Sequence, residues 1–200
     1  MDEAAKEYII EFFSKRLMHF GDSPASVGWS EKGQLLRYEC ITGLLSLDKA
    51  SVLDFGCGKG DLYGFLKAKG LEIKYTGLDI NPSLIGLARQ KYKDVSFHTI
   101  DLDKEEPRGL FDFTIICGVF NLKIDGVKYS AFKAIRKLFS HTKKALLFNC
   151  PSIYAKNKDI DLLYYDPLEL LNLALDITKR VNLYHHLIEG EIFLELSREE

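Results

Sequence analysis

The chain has 200 residues, 46% apolar and 28% charged, which suits one buried core and excludes a disordered or fibrous protein. Net charge is −2 on 27 basic and 29 acidic residues, so no bulk field draws it to nucleic-acid phosphates or an acidic membrane surface. Charges interrupt the longest apolar stretches well short of the ~20 residues that a membrane-spanning helix needs.

Residues Met1 to Lys15 start with Asp and Glu and lack the basic-then-apolar layout of a signal peptide, so a cytoplasmic protein is expected. From Ala4 to Phe20 apolar residues recur at helical spacing (Tyr8, Ile9, Phe12, Phe13, Leu17, Phe20), until Gly21, Ser23 and Pro24 end the run. A second helical pattern runs from Gly33 to Leu45. Strands are then predicted at Val52 to Phe55, Ile73 to Asp79, Val95 to Ile100, Phe113 to Cys117, Ala145 to Cys150, Val181 to His185 and Ile192 to Leu196. Helices are predicted between them at Gly60 to Lys69, Pro82 to Tyr92, Val127 to Phe139 and Pro167 to Ile177. Strands joined by helical crossovers pair in parallel, with helices on both sheet faces, so the class is α/β. The last two strands are separated only by Leu187, Ile188, Glu189 and Gly190, too short a link for a crossover, and this pair should be antiparallel. No repeat, low-complexity tract or Pro-rich linker divides the chain, which reads as one domain.

Cys40, Cys57, Cys117 and Cys150 form no CxxC pair and read as four buried thiols, while neighbouring His185 and His186 point to opposite faces of a strand. No metal site is expected.

The segment Val52-Leu53-Asp54-Phe55-Gly56-Cys57-Gly58-Lys59-Gly60-Asp61-Leu62 is a buried strand entering a GxGxG turn that opens a helix. In open α/β sheets, ligands sit beyond the carboxyl ends of the strands at such a turn. A turn shaped by glycine for geometry alone is the bland alternative. A P-loop fails, because Gly58-Lys59 is followed by Gly60 and preceded five positions earlier by Leu53. A dinucleotide turn wants GxGxxG, and the third spacing here is wrong. Asp54 lies two residues before the first glycine. A carboxylate about 4 Å from a unit charge is worth up to about 4 kcal/mol at an effective dielectric of 20, a penalty beside a diphosphate and an anchor beside an ammonium or sulfonium. S-adenosylmethionine carries both cations. Lys59 would suit a phosphate; it is read instead as a solvated helix-start residue.

Asp79, nineteen residues beyond Gly60, stands at the interval at which an acidic side chain reaches ribose hydroxyls. Asn81 can cap the helix starting at Pro82, which frees Asp79 for a ligand. After the third strand, Ile100-Asp101-Leu102-Asp103 offers a carboxylate to an adenine amino group.

Together these residues resemble the Rossmann-like class I S-adenosylmethionine-dependent methyltransferases from Val52 to about Cys150. VLDFGCGKGDL looks like their first motif, YTGLDINPSLIGLARQKY their second, HTIDLD their third and FDFTIICGVFNL their fourth. The resemblance implies a three-layer sandwich on a seven-stranded, mostly parallel sheet of order 3-2-1-4-5-7-6 with an antiparallel last strand. Residues 1–48 would then supply N-terminal helices and a lid, and 49–200 the core. It implies that Asp54, Gly56 and Gly58 hold the methionine part, with Cys57 between them also at the cofactor, Asp79 the ribose, Ile80 the adenine face and Asp101 and Leu102 its edge. Cys117 and Gly118 would lie along the cofactor by their backbone. FGDSPASVGWSEKGQLLRYECI, GVFNLK and YYDP look like a group of small bacterial methyltransferases, which would bring Gln34 and Arg37 to the cofactor carboxylate and Trp29 to a lid. The structural alternative makes Arg37 a surface pair and Trp29 a packed anchor.

Methyl transfer from a sulfonium gains much of its rate from alignment, so no catalytic residue is obligatory. Tyr165, His185 and His186 are candidate bases near strand ends, each with a structural reading beside it. Asn121 stands where the acceptor should lie, or else ends the strand by bonding its own backbone. There is no Asn/Asp-Pro-Pro-Tyr segment, Cys150-Pro151 reverses the Pro-Cys of cytosine-C5 enzymes, and the aromatics form no basic stripe, so nothing favours nucleic acid. A small molecule or a protein side chain is the expected acceptor, and the oligomeric state is open. The alternatives are a nicotinamide-dinucleotide oxidoreductase and a non-catalytic module that binds an adenosyl cofactor.

Overall fold

The computed structural model describes residues 1–199. The chain divides into two compact units, Asp2–Glu106 and the stretch from Pro107 onward together with Met1. The N-terminal helices belong to the first unit.

In the first unit, α1 (Glu3–Phe20) begins where the Asp2 side chain accepts a hydrogen bond from the Ala5 amide (2.8 Å), and it stops at Gly21, whose positive φ of 60° suits glycine. A short 3₁₀ turn, Pro24–Val27, follows; the sequence shows only a helix stop there. Helix α2 (Glu31–Leu44) is capped by Ser30. The remaining elements alternate: β1 (Ser51–Phe55), α3 (Asp61–Ala68), β2 (Lys74–Asp79), α4 (Pro82–Lys91) and β3 (Ser96–Thr99). β1 pairs with β2 and β2 with β3, both in parallel. Residues 52–55 of β1 are all buried, as expected of a strand covered on both faces. Helix α1 departs from its apolar pattern. Its one fully buried residue is Lys6, while Tyr8 and Phe20, on the face that the period assigns to packing, are exposed.

The second unit holds β4 (Phe111–Cys117), α5 (Val127–Ser140), β5 (Thr142–Pro151), α6 (Pro167–Leu175), β6 (Arg180–Tyr184) and β7 (Glu191–Ser197). β4 and β5 are parallel, and β7 runs antiparallel to both β5 and β6. Ile115, Ile116, Leu146, Leu147, Phe148, Phe193 and Leu194 form the middle of this core. β6 shows alternating half-buried and exposed residues, the mark of a one-sided edge strand. His185 and His186 fall just past its end.

The seven strands form one sheet in the order β3-β2-β1-β4-β5-β7-β6, the order the resemblance implies. Among the described residues, no helix is long and apolar enough to cross a membrane.

Candidate active site

Every second residue of the glycine turn is left-handed: φ is 77° at Gly56, 55° at Gly58 and 79° at Gly60. Side chains rarely tolerate that region, so the GxGxG spacing is a backbone requirement. The Gly56 and Cys57 amides both donate to Leu78 O, at 2.7 and 3.1 Å, and the Gly58 amide donates to Asp79 Oδ2 at 2.8 Å. The turn is thus pinned to the end of β2. A Cβ on Gly60 would stand 2.9 Å from the Phe97 ring, and one on Gly77 would stand 2.6 Å from that ring and 2.8 Å from Cys57 Sγ. Gly77 escaped the sequence reading; its signal is a glycine inside a strand, which marks a close approach.

Asp79 is buried and uses both oxygens. Oδ1 accepts from the Asn81 amide at 2.8 Å, while Oδ2 takes Gly58. Burial pushes its carboxyl up, and the Asn81, Gly58 and Ile80 amides pull it back. Asn81 does cap α4, accepting from the Ser83 and Leu84 amides, as expected.

Asp54 differs from its expected presentation. It is 4% exposed, and its carboxyl accepts a hydrogen bond from the Tyr75 hydroxyl on the same sheet face, inside an aromatic cluster of Tyr63, Tyr75, Tyr92 and Phe97. Burial pushes the carboxyl up to about 7, opposed by Tyr75 and reinforced by Asp79 and Asp61. The negative group therefore lies beneath the turn, bonded to a tyrosine, and is not held fully ionised at neutral pH.

Lys59 corrects the reading of a solvated helix start. Its side chain is 2% exposed, and its ammonium pairs with Asp61 and with Asp22 at 3.0 Å. Lys91 reaches the same two carboxylates, at 2.9 and 3.0 Å. Two cations and two anions thereby lock the turn to α3, α4 and the residues after α1. Consumed in this quartet, Lys59 is no phosphate ligand. Gln34 Nε2 donates to Asp61 Oδ2 at 3.1 Å, and the Arg37 guanidinium donates to Gly33 O at 2.8 Å and stacks over Trp29, 4.3 Å from the ring centroid. Trp29 thus serves as the platform for Arg37.

Asp101 is met by Lys6 at 2.9 Å and Lys104 at 3.4 Å through Oδ2, and by the Asp103 amide at 3.0 Å through Oδ1. Against the upward push of burial, these contacts hold its carboxyl below the usual range. Ile80 is half-buried beside Asp79.

In the second unit, Cys117 ends β4 and is half-buried, with its Sγ 3.6 Å from Asn149 Oδ1. Cys40 is likewise half-buried, so only Cys57 and Cys150 are the buried thiols expected of all four. Gly118 is left-handed (φ 71°), and its amide donates to Asn149 O at 3.2 Å. Tyr165 is not a ligand contact. It is fully buried, and its hydroxyl donates to Phe120 O at 2.8 Å, with burial pushing its ionisation far upward. Replacing it with phenylalanine should cost about 1 kcal/mol, a fall of about 3 °C in Tm by thermal melting. His185 is exposed and shares a 2.7 Å hydrogen bond with Ser152 Oγ, so it too has a structural partner. Asn121 differs from these. Its backbone carbonyl accepts from Leu163 N at 2.8 Å, but its side-chain Oδ1 is buried with no hydrogen-bond partner among the described residues. The strand-ending bond to its own backbone is not made by that oxygen.

Residues 52–143 match a family model described as a methyltransferase domain. The chain carries a methyltransferase domain over these residues. A Mycobacterium tuberculosis protein named as a methyltransferase, Rv1506c, is 28% identical over 138 residues, 64% of this chain and 80% of that one. Among solved structures, a DhpI complex with S-adenosylhomocysteine superimposes with a TM-score of 0.73 at 15% identity, covering 99% of this chain and 98% of its own. Magnesium protoporphyrin IX methyltransferase of Synechocystis, with bound S-adenosylmethionine, gives 0.68 at 20% identity, covering 100% and 98%. These two likenesses are likenesses of fold. The dinucleotide reading gains no support: the methyltransferase has the wrong glycine spacing for it, and its one turn lysine is neutralised.

Proposed function

We propose that this methyltransferase transfers the methyl group of S-adenosylmethionine to a small molecule or a protein side chain. When bound, the cofactor supplies an electrophilic methyl on a sulfonium; the chain's own residues bind, orient and exclude water. Gly56, Cys57 and Gly58 line the methionine part, Asp79 receives the ribose, Ile80 packs on the adenine face, and Asp101 and Leu102 meet its edge. Asp79 carries this reading furthest. Its oxygens accept the Gly58 and Asn81 amides, and a carboxylate has acceptor sites beyond these for a ribose hydroxyl. Asp54 acts from beneath the turn and favours a cationic ligand by ionising. Cys117 and Gly118 keep the role that the resemblance implies. Asn121 is the acceptor contact, supported by a buried oxygen that lacks a donor. Four cysteines that stand as thiols among the described residues fit a reducing compartment, consistent with the cytoplasm.

Calorimetry with S-adenosylhomocysteine, NAD and NADP on one preparation tests the reading. Binding of the adenosyl compound alone is expected; binding of a dinucleotide in its place would overturn it. Methyl release against a metabolite library then separates turnover from mere binding.

A further inference from the structure

Helix α1 is fastened to the ends of β2 and β3 by polar bonds that its apolar pattern does not explain. Lys6, in its first turns, is 5% exposed, and its ammonium lies 2.9 Å from Asp101, 3.0 Å from Asp103 and 3.2 Å from Glu3. Further along, Asn81 Nδ2 donates to Ile10 O at 2.9 Å and to Ser14 Oγ at 3.1 Å. Desolvating a lysine and its carboxylates is costly, and an apolar residue would pack a helix at that position without the penalty. The groups that α1 grips are Asp101 itself and Asn81, the neighbour of Ile80. Asp101 and Ile80 are the positions assigned above to the edge and the face of the adenine.

We infer that Lys6 is a positioning residue: it holds α1 closed across the adenosine end and fixes the Asp101 carboxylate, so that the cofactor exchanges only when the contact from Lys6 to Asp101 and Asp103 opens. The inference rests on the cofactor reading of the preceding subsection. Opening bares one cation and at least two anions to solvent, where salt screens their attraction, so the open form gains as ionic strength rises.

The test is the dissociation rate of radiolabelled S-adenosylhomocysteine, chased by unlabelled ligand. In the wild-type protein the rate should rise about tenfold from about 0.05 to about 0.5 M salt as the latch is screened. Lys6→Ala should release ligand about tenfold faster at low salt and lose the salt dependence, and Lys6→Arg should restore both. A structural role alone would lower the melting temperature of Lys6→Ala while leaving the dissociation rate and its salt dependence unchanged; that result overturns the inference. If Lys6→Ala does not fold, a flat salt profile in the wild type overturns it and a rising one supports it. A wild-type protein that binds no S-adenosylhomocysteine would overturn the cofactor reading and the latch with it, whereas normal binding with unaltered rates overturns the latch alone.

Discussion

Replacing Asp79 with alanine should weaken S-adenosylhomocysteine binding about a hundredfold and destabilise the protein by about 3 kcal/mol. The two losses have different origins. The carboxylate closes the glycine turn onto β2 and the start of α4 by accepting the Gly58 and Asn81 amides, both at 2.8 Å, so its removal strands two buried donors. Each stranded amide costs about 1–3 kcal/mol. The affinity loss comes from the ribose hydroxyls, whose bonds to a carboxylate are worth about 1.5–3 kcal/mol apiece. From the sequence alone, the same variant would be expected to lose affinity and keep its stability; the structure adds the second effect. Asp79→Asn separates them poorly, because its amide nitrogen would face one of two backbone donors. Calorimetry and urea denaturation on Asp79→Ala give both numbers. Unchanged affinity with lowered stability would leave Asp79 as a clip and remove it from the ribose site.

Asp54→Asn should abolish a pH dependence of stability that the wild-type protein shows between about pH 4 and 7. The folded carboxyl stands at about 7, raised mainly by burial, above its ordinary value of 3.8. Across that interval the folded protein keeps a proton that the unfolded chain releases. Stability is therefore greatest at the acid end and falls as pH rises through the folded value. Three units at about 1.4 kcal/mol each set the loss at about 4 kcal/mol. Asparagine still accepts the Tyr75 hydroxyl and carries no charge, so the variant should be flat in this respect and more stable than wild type at pH 8. A ligand ammonium favours the ionised form, so wild-type affinity for S-adenosylhomocysteine should increase with pH across 7, with the variant showing no such increase. Urea denaturation at pH 5, 6, 7 and 8 measures the first effect and calorimetry at the same values the second. Equal slopes in both proteins would show that Asp54 does not titrate there.

The parallel core, the antiparallel terminal pair and the glycine turn were legible because each is written in local chemistry: apolar runs without alternation, a four-residue link, and glycines two apart. Strand ends drifted by one to three residues where polar positions continue the ladder, as at Thr142, whose hydroxyl meets Thr114 at 2.7 Å inside the core. The partners of charged residues were not legible. Nothing in the sequence near Lys59 announces Asp22, 37 positions earlier, nor does Lys6 announce Asp101, 95 positions later. Lysine reads as solvated because burial normally costs too much, and only the assembled fold brings the carboxylates that offset it. The choice between the two readings of Tyr165 was not legible for a related reason. Its place before a helix start suits a structural tyrosine as well as a base near a strand end, and only the assembled fold shows Phe120 O taking its hydroxyl.

The Phe97 ring fills the room beside both Gly60 and Gly77. Positions 77 and 97 therefore cannot diverge independently. A library randomised at 60 or 77 alone should return glycine, and position 77 opens to alanine only where residues 97 and 57 both shrink, since Cys57 Sγ stands 2.8 Å from the same added carbon. Position 60 keeps its second demand, a left-handed backbone, and stays closed. The cradle's ancestry is thus constrained by epistasis with a residue that no ligand need touch.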